Sequence, residues 1–217
     1  RSMGDGSYGW GMEIKDNSEV TLTGVVFDGN QDVAIDVSEE STTVNLVKVV
    51  VQNTLVGSDG TGGRGIQVSD SAQVMASHLF LSSNQDTTVL VSDLNTSFIA
   101  SDLVIGNTDP ELVGKNARGL VVSGGAQLDL TRAFLNNTHD VGIFVAEEGS
   151  SLNGRDILIQ NTQSDANGAG GRGMNVQRGA RANLSHVFLD GNRDVGLIVF
   201  GDDAQVDASN LVILNTR

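Results

Sequence analysis

Glu13 and Asp36 are the two carboxylates in this chain placed most like acid–base machinery. Hydrolysis of a glycosidic bond needs two carboxyl groups roughly 5 to 10 Å apart in unlike surroundings. Both residues fall out of phase with apolar neighbours, Met12 and Ile14 around one, Ile35 and Val37 around the other. Carried on neighbouring strands they would stand ~5 Å apart at the backbone. They are the catalytic candidates, yet no Lys or Arg is expected beside them, and one Trp and one Tyr are all the chain offers for stacking on a sugar. A first-strand face that binds carbohydrate without turnover meets the same shortage.

Other acidic residues recur in register. Glu39, Asp93 and Glu147 share one phase, and Glu40, Glu148 and Asp202 share the next. Such a row is either a solvated edge or a string of cation sites, for which calcium is the natural ion because the donors are all oxygen. Asp32, Asp86, Asp140 and Asp194 recur at a constant interval. Two turns of chain separate them by ~9.6 Å, so a turn-forming role fits better than one shared ion. Arg64, Arg118 and Arg172, with Trp10 in the same phase, are expected to pair with the Gly- and Asp-rich loops before them. His78 and His186 share a phase, His139 stands in another, and there is no Cys. Metal and nucleophilic catalysis therefore lack their usual constellations. Ser58-Asp59-Gly60-Thr61-Gly62-Gly63 is not a phosphate-binding loop, and three Asn-x-Ser/Thr sequons are what an Asn-rich chain produces by chance.

The elements that carry these residues follow from an internal repeat. Gly11, Gly65, Gly119 and Gly173 are evenly spaced without insertion or deletion, inside Trp10-Gly11-Met12-Glu13-Ile14, Arg64-Gly65-Ile66-Gln67-Val68 and their successors. Each repeat divides into two turns of chain with three short alternating strands per turn, as in Met12/Ile14, Val20/Leu22 and Val25/Phe27. A three-residue strand can bury its face only by pairing with its equivalent one turn above or below. The pattern predicts an all-β parallel β-helix solenoid of about eight turns and three parallel sheets, a rod of roughly 38 Å at ~4.8 Å per turn. A leucine-rich horseshoe would need a signature the chain lacks. Residues 1–217 read as a single β-helix domain with repeats at 10–63, 64–117, 118–171 and 172–217, cut from a longer array, with residues 1 to 9 as the tail of a loop.

Gly65-Ile66-Gln67-Val68 and Val20-Thr21-Leu22-Thr23-Gly24-Val25-Val26-Phe27 resemble right-handed parallel β-helix repeats of the pectin-lyase-like superfamily. Within it they are most similar to tandem-repeat proteins of bacterial cell surfaces. The resemblance covers the whole chain. It implies the fold and leaves function open, since one scaffold serves lyases, hydrolases, adhesins and stalks.

Two further columns follow from the repeat. Asn30, Asn53, Asn84, Asn107, Asn161, Asn192 and Asn215 come after the third strand, with Thr138 in the remaining turn, and read as a structural ladder of corner amides. The outward position of the third strand should be polar. It is instead Val26, Val50, Phe80, Val104, Phe134, Leu158, Phe188 and Val212. If these side chains point out, they make an apolar stripe of roughly 450 Å², the size at which an exposed patch suggests a partner. A second copy of the chain or another domain of the parent protein is the expected occupant. The first-strand outward row is mixed, Glu13, Asp36, Gln67, Leu90, Val121, Phe144, Asn175 and Ile198.

A net charge of -14 disfavours nucleic acid, and no apolar run is long enough for a membrane span. The expected role is a structural or adhesive segment of an extracellular, cell-surface bacterial protein. The alternative is a polysaccharide lyase or hydrolase, or its scaffold.

Overall fold

A computed structural model describes residues 9–58, 60–108 and 117–217. The loop expected over residues 1–8, and Asp59, lie outside the described residues. Every regular element among the described residues is a strand, and all the strand pairings are parallel. The eight first strands, from Met12–Ile14 in turn one to Leu197–Phe200 in turn eight, form one ladder. The chain is a parallel β-helix.

Expected as two further sheets, the second and third strands are separate only in turns one and two, at Glu19–Thr23 with Val26–Asp28 and Thr43–Val47 with Val50–Gln52. From turn three they fuse into ten-residue strands such as Gln73–Ser82 and Gln205–Leu214. Three faces remain, held by two hydrogen-bonded ladders. A single left-handed residue makes the bend between faces two and three: Gly24, Lys48, His78, Asp102, Arg132, Asp156, His186 and Asn210 all have φ between 54° and 66°. For the non-glycine members that conformation costs roughly 1–2 kcal/mol each. In return the residues on either side keep their ladder partners, as Ser101 with Ser77 and Leu103 with Leu79.

Inward residues of the three faces stack like on like. Phe98, Leu128 and Leu152 are fully buried along one column and Leu81, Ile105, Leu135 and Ile159 along another. The same inward positions are open in turn eight, where Val199 is 43% and Ile213 45% exposed. Gly11, Gly65, Gly119 and Gly173 stand in one column of the first ladder. None has a positive φ; a Cβ there would lie 2.5–2.7 Å from the carbonyl oxygen of residue 34, 88, 142 or 196 in the next turn. Close approach between turns, not a turn conformation, excludes the side chain.

The seven ladder asparagines fall into two adjacent columns. Asn53, Asn107, Asn161 and Asn215 occupy a left-handed corner shared with Gly29, Ser83, Asn137 and Gly191, where φ runs from 48° to 67°. There they bond outward: Asn53 Nδ2 donates to Asp28 Oδ1 at 2.8 Å and Asn137 Nδ2 to Asn107 Oδ1 at 3.1 Å. Asn30, Asn84 and Asn192 lie one residue further on, in the interior column of Thr54, Thr108, Thr138 and Thr162. Asn84 and Asn192 are fully buried and accept the Thr54 and Thr162 backbone N–H at 3.2 and 3.1 Å. They close the backbone hydrogen bonding of a corner that water does not reach.

Candidate functional site

Glu13 and Asp36 are register partners at the start of the first-strand face, as the alternation requires. Their environments differ. Glu13 is exposed and accepts a hydrogen bond from Lys15 Nζ at 2.7 Å, which raises the lysine pKa. The expectation that no cation adjoins the pair is therefore overturned: Lys15 keeps the outward alternation one position past the strand's end. Asp36 is 4% exposed, and its Oδ1 has no hydrogen-bond partner. Burial, and after it the charge of Glu13, pushes the Asp36 pKa up. A buried carboxyl inclined to hold its proton, beside an exposed one paired with a lysine, gives the two members of the pair the unlike surroundings that acid–base chemistry needs. The residues that follow them in register, Gln67, Leu90, Val121, Phe144, Asn175 and Ile198, do not repeat it.

Glu39, Asp93 and Glu147 share a left-handed corner with φ of 76°, 77° and 77° in alternate turns. Glu147 Oε2 accepts the Gly124 N–H at 3.0 Å, and Asp93 Oδ2 accepts the Ser92 hydroxyl at 3.0 Å. Among the described residues no group of three His, Cys, Asp or Glu converges in the manner of a metal site.

The Arg row pairs with the Asp row one turn above, a partner the sequence reading did not assign. Trp10 Nε1 donates to Asp32 Oδ2 at 2.6 Å. Arg118 Nε donates to Asp140 Oδ2 at 2.6 Å, and Arg172 Nε to Asp194 Oδ2 at 3.3 Å. Arg64 lies 3.6 Å from Asp86. Arg118 also covers Phe144, with its guanidinium carbon 4.4 Å from the ring centre. These contacts tie the two turns of each repeat together, once in every repeat. Of the three Arg–Asp pairs, Arg118–Asp140 is both the shortest and the least exposed, where a charge-assisted bond is screened least.

All eight stripe residues stand in one unbroken register column, Val26 to Val212. None is buried; Val26 is 61%, Phe80 44% and Phe188 47% exposed. The inward residues on either side, such as Leu79 and Leu81, are fully covered, so the stripe points outward and no bulge turns it in.

Two residues before the stripe runs the column of bend residues, and there a pattern emerges that the sequence reading missed. From turn two to turn seven it reads Lys48, His78, Asp102, Arg132, Asp156, His186. Arg132 holds Asp102 with a two-point bond at 2.6 and 2.8 Å. His78 lies 3.9 Å from Asp102 and His186 3.7 Å from Asp156. The Arg132 hydrogen bond keeps the Asp102 carboxyl below the usual range. The signal lay in the sequence as a longer and a shorter interval in alternation; a search at the full repeat sees only every second member.

No curated protein and no solved structure matched the chain. The description "right handed beta helix region" matches residues 10–216, and the chain belongs to that right-handed β-helix family.

Proposed function

We propose that this chain is a structural or adhesive segment of an extracellular, bacterial cell-surface repeat protein, and that it works by presenting its apolar stripe to a second copy or to another domain of its parent. The observation that carries the proposal is the outward column from Val26 to Val212, apolar in all eight turns where alternation calls for polar residues. A rod solvated on every side has no use for such a column, and removing it from water is the dominant gain available to an associating surface. Charge clamps that recur with the repeat also suit a rod whose task is stiffness. Light scattering tests the proposal: associated wild-type chain is expected to fall to monomer mass when Phe134→Asp places a charge mid-stripe. A variant that keeps the wild-type mass removes the stripe as the contact.

A second reading draws on the unlike environments of Glu13 and Asp36, which favour a polysaccharide lyase or hydrolase acting on the first-strand face. It requires turnover of an acidic polysaccharide that Glu13→Gln abolishes.

A further inference from the structure

We infer that the occupant of the stripe is a second copy of this chain lying antiparallel, with turn four of each copy over turn five of the other. The inference rests on the reading of the stripe as a contact surface and adds the partner, its direction and its register.

Two copies that face each other stripe to stripe can be related by a closed two-fold in only two ways. A two-fold along the rod makes them parallel and sets each turn over itself. A two-fold across the rod makes them antiparallel and, centred between turns four and five, sets turn three over turn six and turn two over turn seven. Side-chain size distinguishes the two. The phenylalanines of the stripe sit in turns three, five and seven, and the even turns carry Val or Leu. Parallel copies place Phe on Phe and Val on Val, bulky at one level and gapped at the next. Antiparallel copies place Phe80 on Leu158, Phe134 on Val104 and Phe188 on Val50, so every Phe meets a smaller side chain and only the end turns pair like with like, Val26 on Val212.

Charge distinguishes them again. In the parallel arrangement the bend column of one copy faces the opposite rim of the other, where Gly106 and Asn136 offer Asp102 and Arg132 no charge. In the antiparallel arrangement the bend column faces itself in reverse. Asp102 then meets Arg132, and His78 meets Asp156, on both sides of the axis. The exposed ends of Asp102 and Arg132, already paired within the chain, close with their counterparts into a four-membered ring of alternating sign. Shifting the axis by half a turn stacks Asp102 on Asp102 or Arg132 on Arg132, which like charges forbid. A shift of one full turn toward turn eight keeps opposite charges together but overlaps only six turns and gives up a quarter of the contact.

Area agrees with a second copy as partner. Eight turns at ~4.8 Å and three outward columns about 15 Å wide bury roughly 570 Å² per copy, or about 1,100 Å² in all, which suits a weak, reversible dimer.

The chain has no cysteine, so single spin labels can be placed cleanly. Glu19, Gln73, Gln127 and Gln205 are exposed and share one column on the second-strand face, in turns one, three, five and eight. Pulsed dipolar distances between copies of each labelled variant, at concentrations where wild type is dimeric, read the register. At ~4.8 Å per turn the axial offset is about 5 Å at Gln127, 14 Å at Gln73 and 34 Å at both Glu19 and Gln205, on top of a common lateral spacing. Distances equal at all four sites mean parallel copies and overturn the inference. Unequal distances at Glu19 and Gln205 overturn the register, and the shortest distance at an end site indicates end-on stacking and overturns the arrangement. Adding Phe134→Asp to each labelled variant separates the two levels. Distances that survive it sink the stripe itself, distances that vanish after a flat profile sink only the antiparallel register, and absence of any inter-copy distance excludes a second copy.

Discussion

Gly119→Ala measures how closely the turns of this rod approach each other. The added Cβ would sit 2.5 Å from the Gly142 carbonyl oxygen and 2.9 Å from Leu135 Cδ2. Ordinary contact to an oxygen begins near ~3.3 Å, so about 0.8 Å must be found. The leucine methyl can rotate away. The carbonyl cannot, because the strands on both sides of residue 119 are fixed by backbone bonds, Gly119 N to Val141 O at 3.1 Å and Val89 N to Gly119 O at 3.0 Å. Overpacking of this kind costs typically 1–3 kcal/mol, and the loss of glycine freedom in the unfolded chain returns about 0.4–1 kcal/mol. Ala34 and Thr88 carry a Cβ in the same column, so a turn can be held slightly further off, which keeps the net loss near ~1–2 kcal/mol. At this chain length that is a fall in Tm of about 2–8 °C. Gly106→Ala is the control. Its Cβ would meet nothing closer than the Asn136 carbonyl at 3.7 Å, and its φ is not positive, so the same substitution should be neutral or gain up to about 1 kcal/mol. Urea unfolding of the two variants supplies the comparison. If Gly119→Ala matches Gly106→Ala within about 0.5 kcal/mol, the repeating glycine is not there for turn-to-turn approach.

Three other substitutions test what burial does to polar side chains here. Asp36→Asn should raise stability at neutral pH: its folded pKa is raised, so the charge opposes folding above that value, and the gain should shrink as pH falls through it toward the unfolded value of about 3.9. Thermal melts across that window check the sign; a gain that grows on acidification refutes it. The contribution of Asp102 runs the other way, present above the unfolded value and lost as pH falls through its lowered folded pKa. Asn84→Ala leaves the Thr54 N–H without an acceptor in a dry corner and should cost about 1–3 kcal/mol, whereas Asn107→Gly, at an exposed left-handed corner with φ of 53°, should stay within about 0.5 kcal/mol of wild type by the same denaturation assay.

Periodicity made the architecture legible from the residues alone. Because the chain returns over itself, a constant interval along the sequence becomes a vertical column, and alternation with period two states which side of the wall each residue takes. The glycine column, the apolar core and the outward stripe are all of this kind, and Glu13 and Asp36 could be set beside each other for the same reason. What stayed hidden depended on offsets smaller or less regular than the repeat. The two Asn columns differ by one residue, and the corner that separates them is left-handed in every turn although glycine fills it twice and serine once, so residue type did not mark it. Each Arg finds its Asp 22 residues on, a distance set by where the corner happens to bring the next turn. The alternating charges of the bend column emerge only when the two unequal turns of each repeat are laid over one another. Burial of Asp36, likewise, belongs to its surroundings in space. Sequence determined which residues stack, because stacking follows from count; packing in three dimensions decided which of them touch, because contact depends on fractions of a turn that no count records.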